Sequence, residues 1–365
     1  MTKLWLSAVS FRRESAGAKW SFRSEQIRRS IGRSESAGLV RRFVSELNYD
    51  ESQSNERPQA SCGDCGIVFW NDEMKSRSRY ALATVTTERF LPGTATMLQS
   101  FLRLTPSMRM DLVVFCDELS PAIEAELAGF PRLRLLPISE SLSQSVTRLV
   151  EAVPRLTPRK ARFYSLDVFG LDEYDRVLFC DSDVLFVEDV SELFQSDNEL
   201  CACGERTWYT DQTRDPQTHR ILDKASHATE APPAFNAGLL SIGKPLLNKT
   251  VKQRLLDEMT PELWQSGQAH HTDQLILNRV FADRIHILPA PYNFLLLHHD
   301  AILRKENTTV DQAKVIHFNG APKPWETGEA MRKAAQDPAW RQAFAKWQQV
   351  YQSINRPESS LLARA

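Results

Sequence analysis

From Tyr80 onward, short apolar runs alternate with helical stretches, and this alternation leaves the chain few architectures. ALATVTT (81–87) reads as a buried strand rich in β-branched residues, followed by a helix through MLQSFLRL (97–104). MDLVVFCDE (110–118) is a second apolar strand ending in acids. SPAIEAELAGF (120–130) is a helix with Ser120 at its N-cap and Gly129 near its end. RLRLLPI (132–138) reads as a third strand, RKARFYSLDVFGL (159–171) as a helix, and DRVLFC (175–180) as a near-continuous apolar strand. A strand apolar on both sides must be covered on both faces. Together these features predict an α/β fold with a largely parallel sheet.

The first 79 of the 365 residues have a different character. They are rich in Ser and Arg and carry a net charge of +4, which leaves −5 for the rest. Ile27, Ile31, Leu39, Val40, Phe43, Val44 and Leu47 are patterned for one or two short amphipathic helices, but sustained apolar content is lacking. Residues 1–79 are therefore expected to form a poorly ordered appendage. Cys62 and Cys65 make a CxxC with no second ligand pair at zinc-finger spacing, which favours a turn with two free thiols. A total charge of −1 argues against nucleic-acid binding, which rests on phosphate neutralisation. No apolar run reaches the ~20 residues of a membrane span. MTKLWLSAVSF is too short for a signal peptide, and six Cys do not make a disulfide framework, so a cytoplasmic setting with reduced thiols is expected.

The residue types that carry chemistry begin at Asp181-Ser182-Asp183, directly after the strand RVLFC. In open α/β sheets ligands sit beyond the carboxyl ends of strands. In extended chain, residues i and i+2 project to one side, so both carboxylates could meet one hard cation such as Mg²⁺ or Mn²⁺. A capped surface turn is the other reading of the same residues. FNAGLLSI (235–242) offers the Asn236 amide, and Gly238 permits close backbone approach. HHTDQLILNRVF (270–281) places Asp273 and Gln274 at the start of an amphipathic helix, where an Asp is commonly a cap. HFNGAPKPW (317–325) supplies an imidazole, a Gly for close approach, and Lys323 as a point charge for phosphate.

Taken in order, DSD, FNAG, TDQLILN, LPAPYNF and HFNGAPKPW resemble glycosyltransferase family 8, the glycogenin-like and bacterial lipopolysaccharide glycosyltransferase-like enzymes of GT-A (Rossmann-like) fold. The resemblance covers 80–325, leaving 326–365 as a short helical C-terminal tail. It implies a UDP-sugar donor, Mn²⁺ and retention of anomeric configuration. It further implies that Asp181, Asp183 and His317 are the metal ligands and that Gly320 and Lys323 contact the diphosphate. Asn236, Ala237, Asp273 and Gln274 match positions that hold the donor sugar, with Asp273, Gln274 and Lys323 closest to the chemistry. Val85 and Thr87 match the strand end where backbone groups meet uracil, and Ser182 lies between the paired acids.

Three positions depart from the family pattern. The aromatic ring expected against uracil, usually Tyr, is Phe90. A Lys or Arg expected before the paired acids is Ser165, with Arg162 one turn earlier as the nearest cation. A position often acidic is His270. The implied activity is hexose transfer from a UDP-sugar to a hydroxyl of a glycan, glycolipid or protein acceptor. A catalytically silent UDP-sugar-binding scaffold is the alternative. A sugar-nucleotide nucleotidyltransferase is disfavoured, because TTERFLPGT lacks a Gly-rich basic loop. In the tail, Trp340, Phe344, Trp347 and Tyr351 recur on one helix face. That stripe either packs on the catalytic domain or meets a membrane surface as a peripheral contact. Cys116, Cys180, Cys201 and Cys203 read as buried small apolar residues.

Overall fold

A computed structural model of the protein describes residues 12–13, 20–21, 79–215, 221–222, 233–265 and 271–354. The chain divides into two units, Met1–Lys75 and Ser76–Ala365. In the first, Arg12–Arg13 pairs antiparallel with Trp20–Ser21. The amphipathic pattern over 27–47, the Cys62/Cys65 pair and His270 lie outside the described residues.

The second unit opens with the predicted alternation. Strand β1 (Tyr80–Thr86) leads into α1 (Leu91–Leu104), β2 (Asp111–Cys116), α2 (Pro121–Leu127), β3 (Leu133–Pro137) and α3 (Glu140–Ala152). Ser120 and Ser139 cap α2 and α3 by accepting from the backbone N–H groups of Ile123 and Leu142, each at 3.4 Å. Then come β4 (Arg176–Cys180), β5 (Val184–Phe186), β6 (Leu200–Gly204) and β7 (Phe235–Gly243). These are followed by α4 (Lys249–Asp257), α5 (Asp273–Phe281), β8 (Ile285–Leu288), β9 (Phe294–Leu295), α6 (His299–Glu306) and β10 (Val315–His317). Two helices close the unit, α7 (Thr327–Gln336) and α8 (Pro338–Ile354).

Seven strands form the main sheet in the order β8-β6-β7-β4-β1-β2-β3. Strands β4, β1, β2 and β3 run parallel, and β8 is parallel to β6, while β7 runs antiparallel between β6 and β4. On β4, Val177 and Phe179 enter the core on one face of the sheet, and Leu178 and Cys180 enter the core on the other. That two-faced burial is what the unbroken apolar run predicts. Each fully buried Leu, Val or Phe contributes about 1.5–3 kcal/mol, so the centre of the sheet is the most strongly held part of the fold. A smaller sheet, β9-β10-β5, stands beside the main one. Cys116, Cys180, Cys201 and Cys203 are all free and buried. Among the described residues, no helix is long and apolar enough to cross a membrane.

The stretch containing RKARFYSLDVFGL is helical as expected, and its winding is that of a 3-10 helix, Pro154–Gly170. Pro154 stands at its start, where no N–H is needed. Of the two readings of the C-terminal aromatic stripe, packing is the one found. Trp340, Phe344 and Trp347 are buried in a core with Phe294, Ile316 and Phe318, and the Trp347 ring stacks on Tyr351 at 4.7 Å. Asp337 accepts from the Trp340 N–H at 3.0 Å and Pro338 follows it, which fixes the start of α8. The aromatic stripe is therefore core, and the membrane reading that rested on its exposure falls away.

Candidate active site

The site forms where β4 ends and β5 begins. Ser182 and Asp183 lie in a turn between these strands rather than in extended chain, so the two carboxylates converge by the turn and not by strand alternation. Pairing of β10 with β5 sets His317 opposite Val184, one residue past the acids. One ligand atom from each of Asp181, Asp183 and His317 lies within 4.8 Å of the others. The His317 Nε2 is 3.3 Å from Asp183 Oδ1 and 3.7 Å from Asp181 Oδ2. Two carboxylates and one imidazole form a donor set that suits a divalent cation of hard to borderline character, and these residues fit such an ion.

The two acids are electrically unlike. Burial pushes the Asp181 carboxyl up to about 6, and the neighbouring charge of Asp183 adds to the rise against the opposing pull of His317. Burial acts on Asp183 in the same sense, but the Lys323 ammonium and His317 overcome it and hold that carboxyl well below the usual range. Lys323 bonds Asp183 Oδ2 directly and also donates to the Phe318 carbonyl at 2.9 Å. Gly320 has φ of +90°, the left-handed region, which lets the loop from His317 turn back and bring Lys323 to the acids.

Ser182 faces inward. Its Oγ donates to the Val85 carbonyl at 2.5 Å and lies 3.0 Å from the Thr94 hydroxyl, tying the acidic turn to β1 and α1. The side chain of Ser182 thus has a structural partner, and its carbonyl packs against Gly93 of α1. The Val85 carbonyl is engaged by Ser182, and the Thr87 carbonyl by the Phe90 N–H at 2.9 Å. Phe90 stands edge-on to Trp325 with centroids 5.4 Å apart. Arg89 pairs with Glu326 at 2.8 Å, linking the end of β1 to the segment after Lys323.

On the far side, Asp273 and Gln274 begin α5 and are both buried. Asp273 does not cap the helix. Thr272 occupies the N-cap position without a side-chain cap bond, and Asp273 accepts from the Ser165 hydroxyl at 2.8 Å and from Thr272 at 2.9 Å. Burial raises the Asp273 carboxyl, and those two bonds oppose the rise. Three residues per turn in the 3-10 segment put Arg162 directly in line with Ser165. The exposed Arg162 guanidinium favours the ionised forms of both Asp181 and Asp273.

Asn236 and Ala237 adjoin Gln274. The Asn236 Nδ2 donates to Gln274 Oε1 at 3.2 Å, and the Ala237 N–H does so at 3.4 Å. The Gly238 carbonyl accepts from the Asp181 N–H at 2.9 Å, and a Cβ on Gly238 would stand 2.3 Å from His317 Cε1. The structure thus gathers Asp181, Asp183, Asn236, Ala237, Asp273, Gln274, His317 and Lys323 at the mouth of the sheet. Gly320, Phe90 and Arg162 lie at its rim.

Two further residues were not singled out by sequence reasoning. Glu205, directly after the apolar run LCACG, is buried and accepts from Arg214, Thr207 and the Gln274 Nε2. Its burial would raise the carboxyl, but the Arg214 contact dominates and lowers it. Asn293 of LPAPYNF is fully buried between Asn236 and His317. For Glu205 the available signal was an acid at a strand's carboxyl end; for Asn293 there was none beyond its motif.

Known proteins resemble this chain in sequence and in fold. The sequence profile of Glycosyl transferase family 8 matches residues 81–328, about two thirds of the chain. Glycosyltransferase GlyE of Streptococcus pneumoniae serotype 4 is 28% identical over 158 residues, which is 41% of this chain and 34% of that protein. The chain thus spans about a third of the length of that curated relative. Among solved structures, the galactosyltransferase LgtC in complex with donor and acceptor sugar analogues superposes with a TM-score of 0.54 at 20% identity, over 76% of this chain and 98% of that one. An active-site mutant of LgtC gives a TM-score of 0.55 at 20% identity with the same coverage. These likenesses place the fold in the GT-A class. With the matched stretch running from the first strand past the Lys323 loop, the chain belongs to glycosyl transferase family 8.

Proposed function

We propose that this glycosyltransferase moves a hexose from a UDP-sugar to a hydroxyl of a glycan, glycolipid or protein acceptor, with a divalent cation and with retention at the anomeric carbon. The observation that carries the reading is the convergence of Asp181, Asp183 and His317 with the Lys323 ammonium beside them. Those three residues would hold the cation, Mn²⁺ being favoured by the mixture of carboxylate and imidazole. When bound, such an ion supplies Lewis-acid stabilisation of the departing diphosphate.

The chain's own groups account for the rest. Lys323 is a fixed positive charge where the leaving group accumulates negative charge, so no proton donor is needed there. Gly320, by its positive φ, keeps the loop backbone close to the same phosphates. The Phe90 ring, held edge-on by Trp325, offers an apolar face to the base, with the backbone of Val85, Thr87 and Ser182 alongside. Asn236, Ala237, Asp273 and Gln274 line the sugar pocket, and Arg162 reaches it from the position one turn before Ser165. Asp273 and Gln274 stand on the side away from the diphosphate, where partial positive charge at the anomeric carbon is stabilised by oxygen dipoles. Residues 80–325 hold this chemistry.

The test is UDP release from a panel of UDP-sugars in the presence of Mn²⁺, with EDTA treatment and metal re-addition. Turnover of one donor, abolished by EDTA and restored by Mn²⁺, is expected. Tight UDP binding without turnover of any donor would make the protein a silent binder. Full turnover in EDTA would remove the metal.

A further inference from the structure

A run of side-chain hydrogen bonds leads from Glu205 to the candidate metal ligands, and its direction is fixed. The ionised Glu205 carboxylate only accepts, so the Gln274 Nε2 at 3.3 Å must donate to it. That turns Gln274 Oε1 towards the Ala237 N–H and the Asn236 Nδ2. A backbone N–H cannot accept, so this contact fixes the Gln274 amide a second time. Asn236 Oδ1 then accepts from the Gly238 N–H at 2.9 Å, again a donor of fixed sense, and from the Asn293 Nδ2 at 2.8 Å. Reversing Asn293 would bring two oxygens together. Its Oδ1 therefore points at His317 Nδ1, 3.0 Å away, and a carbonyl oxygen there requires an N–H on that nitrogen.

We propose that Asn293 is a positioning residue that keeps a proton on His317 Nδ1, which makes Nε2 the nitrogen that faces Asp181 and Asp183 and would bind a cation. The inference rests on the metal reading for its purpose but not for its geometry. Neutral imidazole binds a cation through whichever nitrogen lacks the proton, so the tautomer decides whether the lone pair points into the acids or away from them. Asn293 is fully buried, and its amide faces protein at both ends. Water therefore does not compete for the contact. Gly238 packs on the other side of the ring, where a Cβ would overlap His317, so the imidazole is held in place as well as in tautomer.

The tautomer is read directly by ¹⁵N NMR of the metal-free protein, with the His317 signals assigned by loss in His317→Gln. A proton on Nδ1 is expected in the wild type, with Nε2 either bare or sharing a proton with Asp183. Mn²⁺ binding in the presence of UDP, followed by EPR of free Mn²⁺, is the second readout. Asn293→Leu removes the acceptor, so the tautomer should become mixed and Mn²⁺ affinity should fall about 10- to 100-fold. Asn293→Asp loses the donor to Asn236 but keeps an acceptor for Nδ1–H, so the proton should stay on Nδ1, which a purely space-filling role would not require. Should the Leu variant fail to fold, the wild-type spectrum and the Asp variant still decide. A wild-type ring protonated on Nε2 alone would overturn the proposal, as would a folded Leu variant with an unchanged Nδ1 proton and unchanged affinity. A wild-type Nδ1–H ring in a protein that binds no Mn²⁺ with UDP would support the relay while overturning the metal reading of the function.

Discussion

Neutralising the two acids one at a time should shift metal-free stability in opposite directions. Asp183 lies between the Lys323 ammonium and His317, with only 9% of its side chain exposed, and Lys323 is 14% exposed. Removing one partner of a buried pair strands the other, a loss of about 3–5 kcal/mol. Asn keeps the polar contact, so Asp183→Asn belongs near the lower end, at about 3 kcal/mol. Asp181 has no ammonium beside it. Its rise from 3.8 to about 6 corresponds to about 3 kcal/mol of disfavoured ionisation, at 1.36 kcal/mol for each tenfold in proton affinity. The side chain is 44% exposed, so solvent screening leaves on the order of 1 kcal/mol.

The sign follows from the direction of the rise. Asp181 holds its proton more tightly when folded than when unfolded, so its contribution is fully present below about 3.8 and lost as pH rises through about 6. Asp181→Asn does not lose it. In EDTA at about pH 8 that variant should melt about 2–4 °C higher than the wild type, and the gain should vanish by about pH 4. Asp183→Asn should melt about 6–12 °C lower at about pH 8. Thermal unfolding followed by circular dichroism measures both. With Mn²⁺ and UDP added, only the wild type should gain stability strongly, because both variants lack a ligand. Two variants shifted alike in EDTA, or an Asp181→Asn gain independent of pH, would refute this account of the site's charges.

Three further outcomes follow from packing and charge. Trp347→Ala empties a site 3% exposed beneath the Lys323 segment, so urea unfolding should show a loss of about 3–5 kcal/mol; a loss below about 1 kcal/mol would mean that α8 is not part of the core. Gly238→Ala forces a methyl against His317 and Asn236, so it should lower stability by about 1–3 kcal/mol and weaken Mn²⁺–UDP binding measured by EPR. Unchanged binding in that variant would show that the ring has room to move. Arg162→Ala should reduce UDP-sugar turnover while leaving the melting temperature unchanged, since the side chain is exposed; equal kinetics would take Arg162 out of the donor site.

The sequence by itself determined the strand and helix alternation, the two-faced burial of RVLFC and the family-bearing motifs, because periodicity and apolar runs are local properties. It also carried the Ser120 cap and the aromatic face of α8, both set by residues a few positions apart. It could not decide where that aromatic face went. Burial of Trp340 and Trp347 depends on Phe318 and Trp325 arriving from elsewhere in the chain. Nor did it determine the site's geometry. Asp183 meets His317 because β10 pairs with β5 in one register, and a slip by one residue would turn His317 to the opposite face. The sequence marked the Arg162 segment as a helix without specifying its 3-10 winding. Glu205 and Asn293 were silent for the same physical reason. The bonds that join them to the site run to residues between 24 and 69 positions away, and such bonds exist only once the fold has set those residues side by side.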